Sequence, residues 1–178
     1  HIVAADAIFG SCLSILKDIL PNYGIEITIV RATRIAQWEK AIKKNTKIFF
    51  FETPTNPMLE ILDISELSEL AKLHNIKVIV DNVFATPLRQ RPLQFGADIV
   101  IYSGTKHIDG QGRCLGGAIL SEREFIENKL HDYLKHTGPA LSPFNAWIMM
   151  KGLETLAVRT DKQIDNAAQI ANQMADMH

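Results

Sequence analysis

Short strand-like runs alternating with helical segments constrain the fold of this chain more tightly than any other feature. Residues 2–5, 25–30, 47–52, 77–81, 98–102 and 117–120 read as strands, and several are apolar on both faces, as buried parallel strands are. Between them, residues 12–20 run helically up to Pro21, residues 35–42 have helical spacing, and Ser65 opens an amphipathic helix that continues to Leu73. Strand, helix and strand repeated in this way predict right-handed crossovers and an α/β fold: a mainly parallel sheet with helices on both faces. After Leu120 the pattern turns helical over residues 122–135, residues 143–151 and from about Glu154 onward. That last helix carries apolar residues at Leu156, Val158, Ile164, Ala168, Ala171 and Met174, and the pattern is still running at His178. So apolar a terminal helix predicts self-association, or poor order near His178.

Composition sets the class. With 178 residues, 47% of them hydrophobic and 22% charged, the chain suits one globular domain with a true core. Its 19 Lys and Arg against 20 Asp and Glu exclude the basic excess that phosphate-backbone binding demands, so no nucleic-acid partner is expected. Apolar runs such as residues 48–51 are far too short to cross a bilayer, so no membrane partner is expected either. Cys12 and Cys114, the only cysteines, lie far apart; no disulfide framework or four-cysteine zinc site is available, and a reducing cytoplasm is the simplest compartment. The chain opens at His1 directly on a strand, without a signal-peptide pattern, and therefore reads as the interior of a longer protein with elements expected on both sides.

In open parallel sheets ligands bind at the carboxyl ends of the strands, so polar residues just past a strand end are the candidates for chemistry. Four places qualify: Phe9-Gly10-Ser11, Glu52 through Asn56 and Pro57, Asp81-Asn82, and Ser103 through Lys106 and His107. A lysine after a strand is usually a solvated loop residue. Lys106, however, follows a Ser-Gly-Thr turn, in which the hydroxyls of Ser103 and Thr105 can bind phosphate oxygens and Gly104 lets the backbone come close. Its amine is then a candidate Schiff-base nucleophile. Asp81 ends a buried strand, where a carboxylate needs a cationic or hydrogen-bonding partner, or else caps the helix that follows. Adjacent strands lie about 4.8 Å apart, so one small planar cofactor could bridge the tips that carry Asp81 and Lys106.

These segments resemble a family. Glu52-Thr-Pro-Thr-Asn-Pro57, Val80-Asp81-Asn82, Tyr102-Ser-Gly-Thr-Lys106-His107 and Gly152-Leu-Glu-Thr-Leu156 are similar, in order and spacing, to the Cys/Met metabolism enzymes that use pyridoxal 5′-phosphate (PLP). The resemblance covers essentially the whole chain. Residues 7–12, 82–87, 106–113 and 137–147 are most similar to the O-succinylhomoserine sulfhydrylase branch of that family. The resemblance implies that residues 1–178 are the large cofactor domain of a fold-type I PLP enzyme, without its N-terminal arm and C-terminal domain. It implies Lys106 as the internal aldimine, Asp81 as partner of the pyridine nitrogen, Ser103 and Thr105 as phosphate- or lysine-positioning groups, and Asn56 as donor to the cofactor's phenolic oxygen. Phe9 falls where most relatives carry a tyrosine stacked on the ring. A phenylalanine can stack but cannot move a proton, so proton transfer falls chiefly to Lys106.

The activity implied is γ-replacement: an O-acylated homoserine, loaded on the cofactor, loses its α-proton and then a β-proton, expels the acyl group, and takes up sulfide to give homocysteine. A C–S lyase using the same residues is the alternative, and an inactive folded module is another. The family's phosphate-binding glycine turn and a partner-subunit tyrosine would precede His1, its substrate-carboxylate arginine would follow His178, and its assembly would be a homotetramer of tight dimers. Other residues stay structural. The six histidines lack metal-ligand spacing, and His131 and His136 read as solvated. The glycine-rich run at residues 110–117 precedes a strand and so is a poor dinucleotide loop; Arg113 within it reads as a solvated residue or an aid to anion entry, and Cys114 as structural.

Overall fold

Apolar residues at every position from Ile2 to Ala5, all of them buried, make β1 (Ile2–Ala5) a strand covered on both faces. In the computed structural model, which describes residues 1–177, β1 lies inside a six-stranded sheet. The other strands are β2 (Ile27–Val30), β3 (Ile48–Glu52), β4 (Lys77–Asp81), β5 (Ile99–Ser103) and β6 (Gly117–Ser121), in the order β2-β1-β3-β4-β5-β6. The pairs from β2 across to β5 are all parallel. β2 starts two residues later than its sequence suggests because the Ile25 N–H donates to the Leu20 carbonyl, closing the preceding turn instead of joining the ladder.

Helices cover both faces, and the strand alternation shows which. Trp38 of α2 (Ile35–Ala41) meets Phe49 and Phe51 edge-on, with ring centroids 5.1 and 5.7 Å apart, and donates its indole N–H to the Ala32 carbonyl at 3.1 Å. The register pairs Phe49 with Val78 and Phe51 with Val80, so these four share one face. Ile48, Phe50 and Ile79 point the other way, into an apolar hollow lined also by Cys12, Ile15 and Leu16. The same alternation places Glu52 and Asp81, the last residues of β3 and β4, on this second face.

The helical segments follow from local chemistry. α1 (Gly10–Ser14) continues through a wide turn over Ile15–Ile19 and a 3-10 turn over Leu20–Tyr23, which takes Pro21 near its start rather than ending before it. α2 (Ile35–Ala41) follows β2. α3 (Ile64–Leu73) is capped by Asp63, whose carboxylate accepts from the Glu66 N–H at 3.1 Å; Ser65 lies inside the first turn and does not start the helix. α4 (Thr86–Arg89) follows β4, and the helical stretch after β6 resolves into α5 (Arg123–Phe125), a wide turn over Ile126–His131 and α6 (Asp132–Thr137). α7 (Pro143–Glu154) begins on the Ser142 cap, and Thr155, with φ −114° and ψ 6°, separates it from α8 (Leu156–Ala175). The order predicted for His178 lies outside the described residues.

Two compact units result: His1–Tyr102 with Ile119–Tyr133, and Ser103–Ala118 with the chain from Leu134 on. The first holds the main hydrophobic core around β1, β3, β4, Trp38 and Leu67. The second has a small core of its own, in which Cys114, Ile148 and Met149 are buried with Ile108 against them.

Candidate active site

In the first unit the chain runs from β1 outward to β2 and then returns to place β3 on the other side of β1, so the strand order reverses between β1 and β3. Such a reversal opens a crevice at the carboxyl ends of the two strands. Phe9 follows β1 and Asn56 follows β3, which puts one predicted site residue on each side of the reversal. Glu52, at the tip of β3, ties them together. Its Oε2 accepts from the Phe9 N–H at 3.0 Å and its Oε1 from the Asn56 N–H at 2.9 Å. Half of the Phe9 surface, 51%, is exposed, and Asn56 is exposed as well. The loop around Asn56 is fixed by buried threonines: Thr55 Oγ1 accepts from the Glu60 N–H, and Thr53 Oγ1 from the Leu62 N–H.

Asp81 is the register partner of Glu52, so two carboxylates end neighbouring strands on one face. Both are buried, at 8% and 5% exposure, and Asp81 accepts from the Val83 N–H at 3.0 Å in a turn of its own rather than capping α4. Burial pushes the Asp81 carboxyl above the usual carboxylate range. Burial raises Glu52 as well, the charge of Asp81 raises it further, and the N–H groups of Asn56 and Phe9 only partly offset this. Cys12 faces the same pair: its own burial, then Asp81 and Glu52, push its thiol up and keep it protonated and unreactive at neutral pH. A buried carboxylate pair of this kind calls for a cation, and a protonated ring nitrogen is one.

The raised values have a testable sign. A carboxyl whose pKa is higher folded than unfolded holds its proton in the native state over a range where the unfolded chain has released it, so its contribution to stability is lost as pH rises through that range. Glu52→Gln cannot titrate and loses one acceptor for its two backbone donors. Urea unfolding of the cofactor-free intact protein between about pH 5 and about pH 8 should show the variant less stable at the acid end, with the gap narrowing as pH rises. A gap that widens with pH would contradict the raised Glu52.

Behind the carboxylates, Asn82 is fully buried. Its Nδ2 donates to Tyr102 Oη at 2.7 Å and to the Gln90 carbonyl at 2.9 Å, while Gln90 Nε2 donates to Asn82 Oδ1 at 2.7 Å and to the Thr53 carbonyl at 2.6 Å. This network joins the loop after β3 to β4 and β5, so Asn82 fixes the scaffold beside Asp81.

In the second unit Ser103, Thr105 and Lys106 lie at and within helical turns over Gly104–Ile108, with Lys106 exposed and the two hydroxyl residues partly buried. Lys106 interrupts the helical geometry, at φ −86° and ψ −114°. The Gly104 N–H donates to the Gly116 carbonyl at 2.7 Å, and a side chain at Gly104 would collide with Met149. Arg113 is exposed, as a solvated residue would be, but its guanidinium is paired rather than free to meet an anion. The buried Asp109 carboxylate accepts from the Arg113 backbone N–H, Nε and Nη2, closing the glycine-rich loop on itself. Burial works to raise the Asp109 carboxyl, but those Arg113 bonds outweigh it and hold it below the usual range. Cys114 is buried, as a structural cysteine would be, and His131 and His136 are exposed. The sequence places Glu52 in a candidate strand-end stretch without giving it a role, although the argument that singled out Asp81 applies to it without change, and it gives no sign of Asp109.

The family model of the Cys/Met metabolism PLP-dependent enzymes matches residues 1–177. The chain belongs to this family. Within it the chain is 51% identical over 171 residues to an O-succinylhomoserine sulfhydrylase of Mycobacterium tuberculosis, covering 96% of this chain and 42% of the relative. It is 42% identical to the O-succinylhomoserine sulfhydrylase of Pseudomonas aeruginosa, over the same shares of each chain. The crystal structure of a cystathionine γ-lyase from Lactobacillus plantarum, complexed with L-serine, superimposes with a TM-score of 0.94 at 32% identity, covering 98% of this chain and 46% of that one. The chain thus spans less than half the length of the relatives it matches. The family's cofactor is PLP, and the donor set of this chain suits it: a strand-end buried carboxylate for a ring nitrogen, an exposed phenyl ring, and an exposed amine on a turn rich in hydroxyl groups. Among the described residues no group of His, Cys, Asp and Glu could hold a metal ion, and no helix is long and apolar enough to cross a membrane.

Proposed function

We propose that this chain is the cofactor-binding large domain of a PLP-dependent transferase that breaks the γ-carbon–oxygen bond of O-succinylhomoserine and puts sulfide in place of the departing succinate, giving homocysteine. Asp81 carries the reading. It is a buried carboxylate at the end of β4, its neighbour β5 ends at Ser103, and Lys106 follows three residues later in the chain. Bound PLP would supply an electron sink for the carbanion that forms when the α-proton leaves. Asp81 keeps the ring nitrogen protonated by the charge it holds beside it. Lys106 would hold the cofactor through its amine, and that amine would take the substrate's α-proton and move the next. Asn56 would orient the ring, Ser103 and Thr105 would bind phosphate oxygens or steady Lys106, and Phe9 would offer its aromatic face to the ring and exclude water.

The choice of acyl donor and of replacement over elimination rests on the two sulfhydrylases, the nearer of them 51% identical. A cytoplasmic homotetramer built of tight dimers completes the reading, since a site shared between subunits needs its partner for closure. Supplied with O-succinylhomoserine and sulfide, the intact protein should release homocysteine and succinate in equal amounts. Release of 2-oxobutanoate and ammonia instead would replace the transferase by a lyase.

A further inference from the structure

The Gly152-Leu-Glu-Thr-Leu156 stretch is part of the family resemblance, yet it has no part in the chemistry assigned above, and the second unit shows what it touches. Gly152 packs against the chain just past Lys106: a Cβ there would lie 2.1 Å from the Ile108 carbonyl oxygen and 2.9 Å from that of Asp109, so a larger residue does not fit. Two turns further on, Arg159 of α8 reaches back to the same place. Its Nη2 donates to the carbonyls of Gly152 at 2.8 Å, His107 at 3.0 Å and Ile108 at 3.4 Å, and its Nε donates to Thr155 Oγ1 at 3.1 Å. Gly110, with φ 79° and no side chain, leaves room for the guanidinium; a Cβ there would lie 2.1 Å from Nη1.

Carbonyls at the end of a helical turn lack partners, and a planar cation with several donors is well suited to satisfy them. Here they need it more than usual. Because Lys106 leaves the helical region, the turn is held from within by the Asp109 N–H on the Gly104 carbonyl at 2.8 Å and the Gly110 N–H on the Lys106 carbonyl at 2.7 Å. The charge of Arg159 is felt beside Lys106: burial, then Arg159, lower the pKa of His107, against a side-chain bond from Gln163 that raises it.

We propose that Arg159 is a positioning residue for Lys106, its hold on the His107 and Ile108 carbonyls, with Gly152 packed against them, fixing the turn that aims the lysine at the cofactor. This rests on Lys106 being the lysine that bears PLP. The test compares wild-type intact protein with Arg159→Met, which keeps the length without donors, and Arg159→Lys, which keeps the cation but reaches fewer carbonyls at once.

Hydrogen exchange of the cofactor-free proteins reads the turn directly. In Arg159→Met the Asp109 and Gly110 amides should exchange faster by about tenfold or more while β4 amides stay unchanged. With PLP added, covalent capture on Lys106, trapped by borohydride, should slow, and kcat should fall by about tenfold to a hundredfold with KM little changed. Arg159→Lys should fall between. A wild-type protein that captures no PLP on Lys106 overturns the functional reading beneath the proposal. Normal capture in wild type beside wild-type exchange and capture rates in both variants overturns the role of Arg159 alone, as does an equal rise in exchange throughout the protein. Should Arg159→Met fail to fold, wild-type behaviour of Arg159→Lys on both readouts has the same force.

Discussion

Lys106→Ala in the intact protein is expected to leave the fold in place and remove the chemistry. The side chain is exposed, so its loss opens no cavity, and the backbone bonds of the turn, Asp109 to Gly104 and Gly110 to Lys106, do not involve it. The variant should lose the absorbance of covalently held PLP, and turnover should fall by about a hundredfold to ten-thousandfold, the usual contribution of a positioned acid–base group, or further. Circular dichroism should match wild type. A cofactor adduct that survives borohydride reduction in the Ala variant would sink the assignment.

Asp81→Asn has the second largest expected effect, and it separates function from stability. The amide is nearly isosteric and can still accept the Val83 N–H, but it carries no charge to hold a proton on a ring nitrogen. Turnover should fall by about a hundredfold or more, as when a transition-state charge partner is lost. The cofactor-free variant should be no less stable than wild type near neutral pH, because burial already works against the Asp81 carboxylate and the amide escapes that penalty. Near-normal turnover with an unchanged cofactor spectrum would contradict the role. So would a large loss of stability without loss of rate.

Much of this scaffold was legible in the residues because its cause is local. β1 and β4 have the bounds their apolar runs predict, and a parallel sheet with helices on both faces follows from strand and helix taking turns. The misjudged boundaries depend on interactions between residues that composition does not rank. Asp63 caps α3 ahead of Ser65 because its carboxylate reaches the Glu66 N–H, and α7 runs three residues past its expected end, to Glu154, before Thr155 separates it from α8. The buried strand-end carboxylate of Asp81 was legible because that residue type has few reasons to stand there. A role that runs through a partner was not legible. The part Glu52 plays in tying Phe9 to Asn56 became visible only once its two backbone donors were located. The anion-entry reading of Arg113 fails because Asp109, four residues earlier, is fully buried and takes its guanidinium.

Phe9 marks the clearest departure from the family pattern implied by resemblance. With its ring half exposed and its N–H on Glu52, it is placed by its backbone and offers only an aromatic face. In the proposed function proton movement is therefore assigned to an amine, which gives the identity of the cofactor-bearing lysine its weight. The most direct test is borohydride reduction of the PLP-loaded intact protein followed by peptide mapping. The account predicts a single phosphopyridoxyl label on the peptide that contains Lys106. A label on any other lysine, or no covalent label at all, would contradict it.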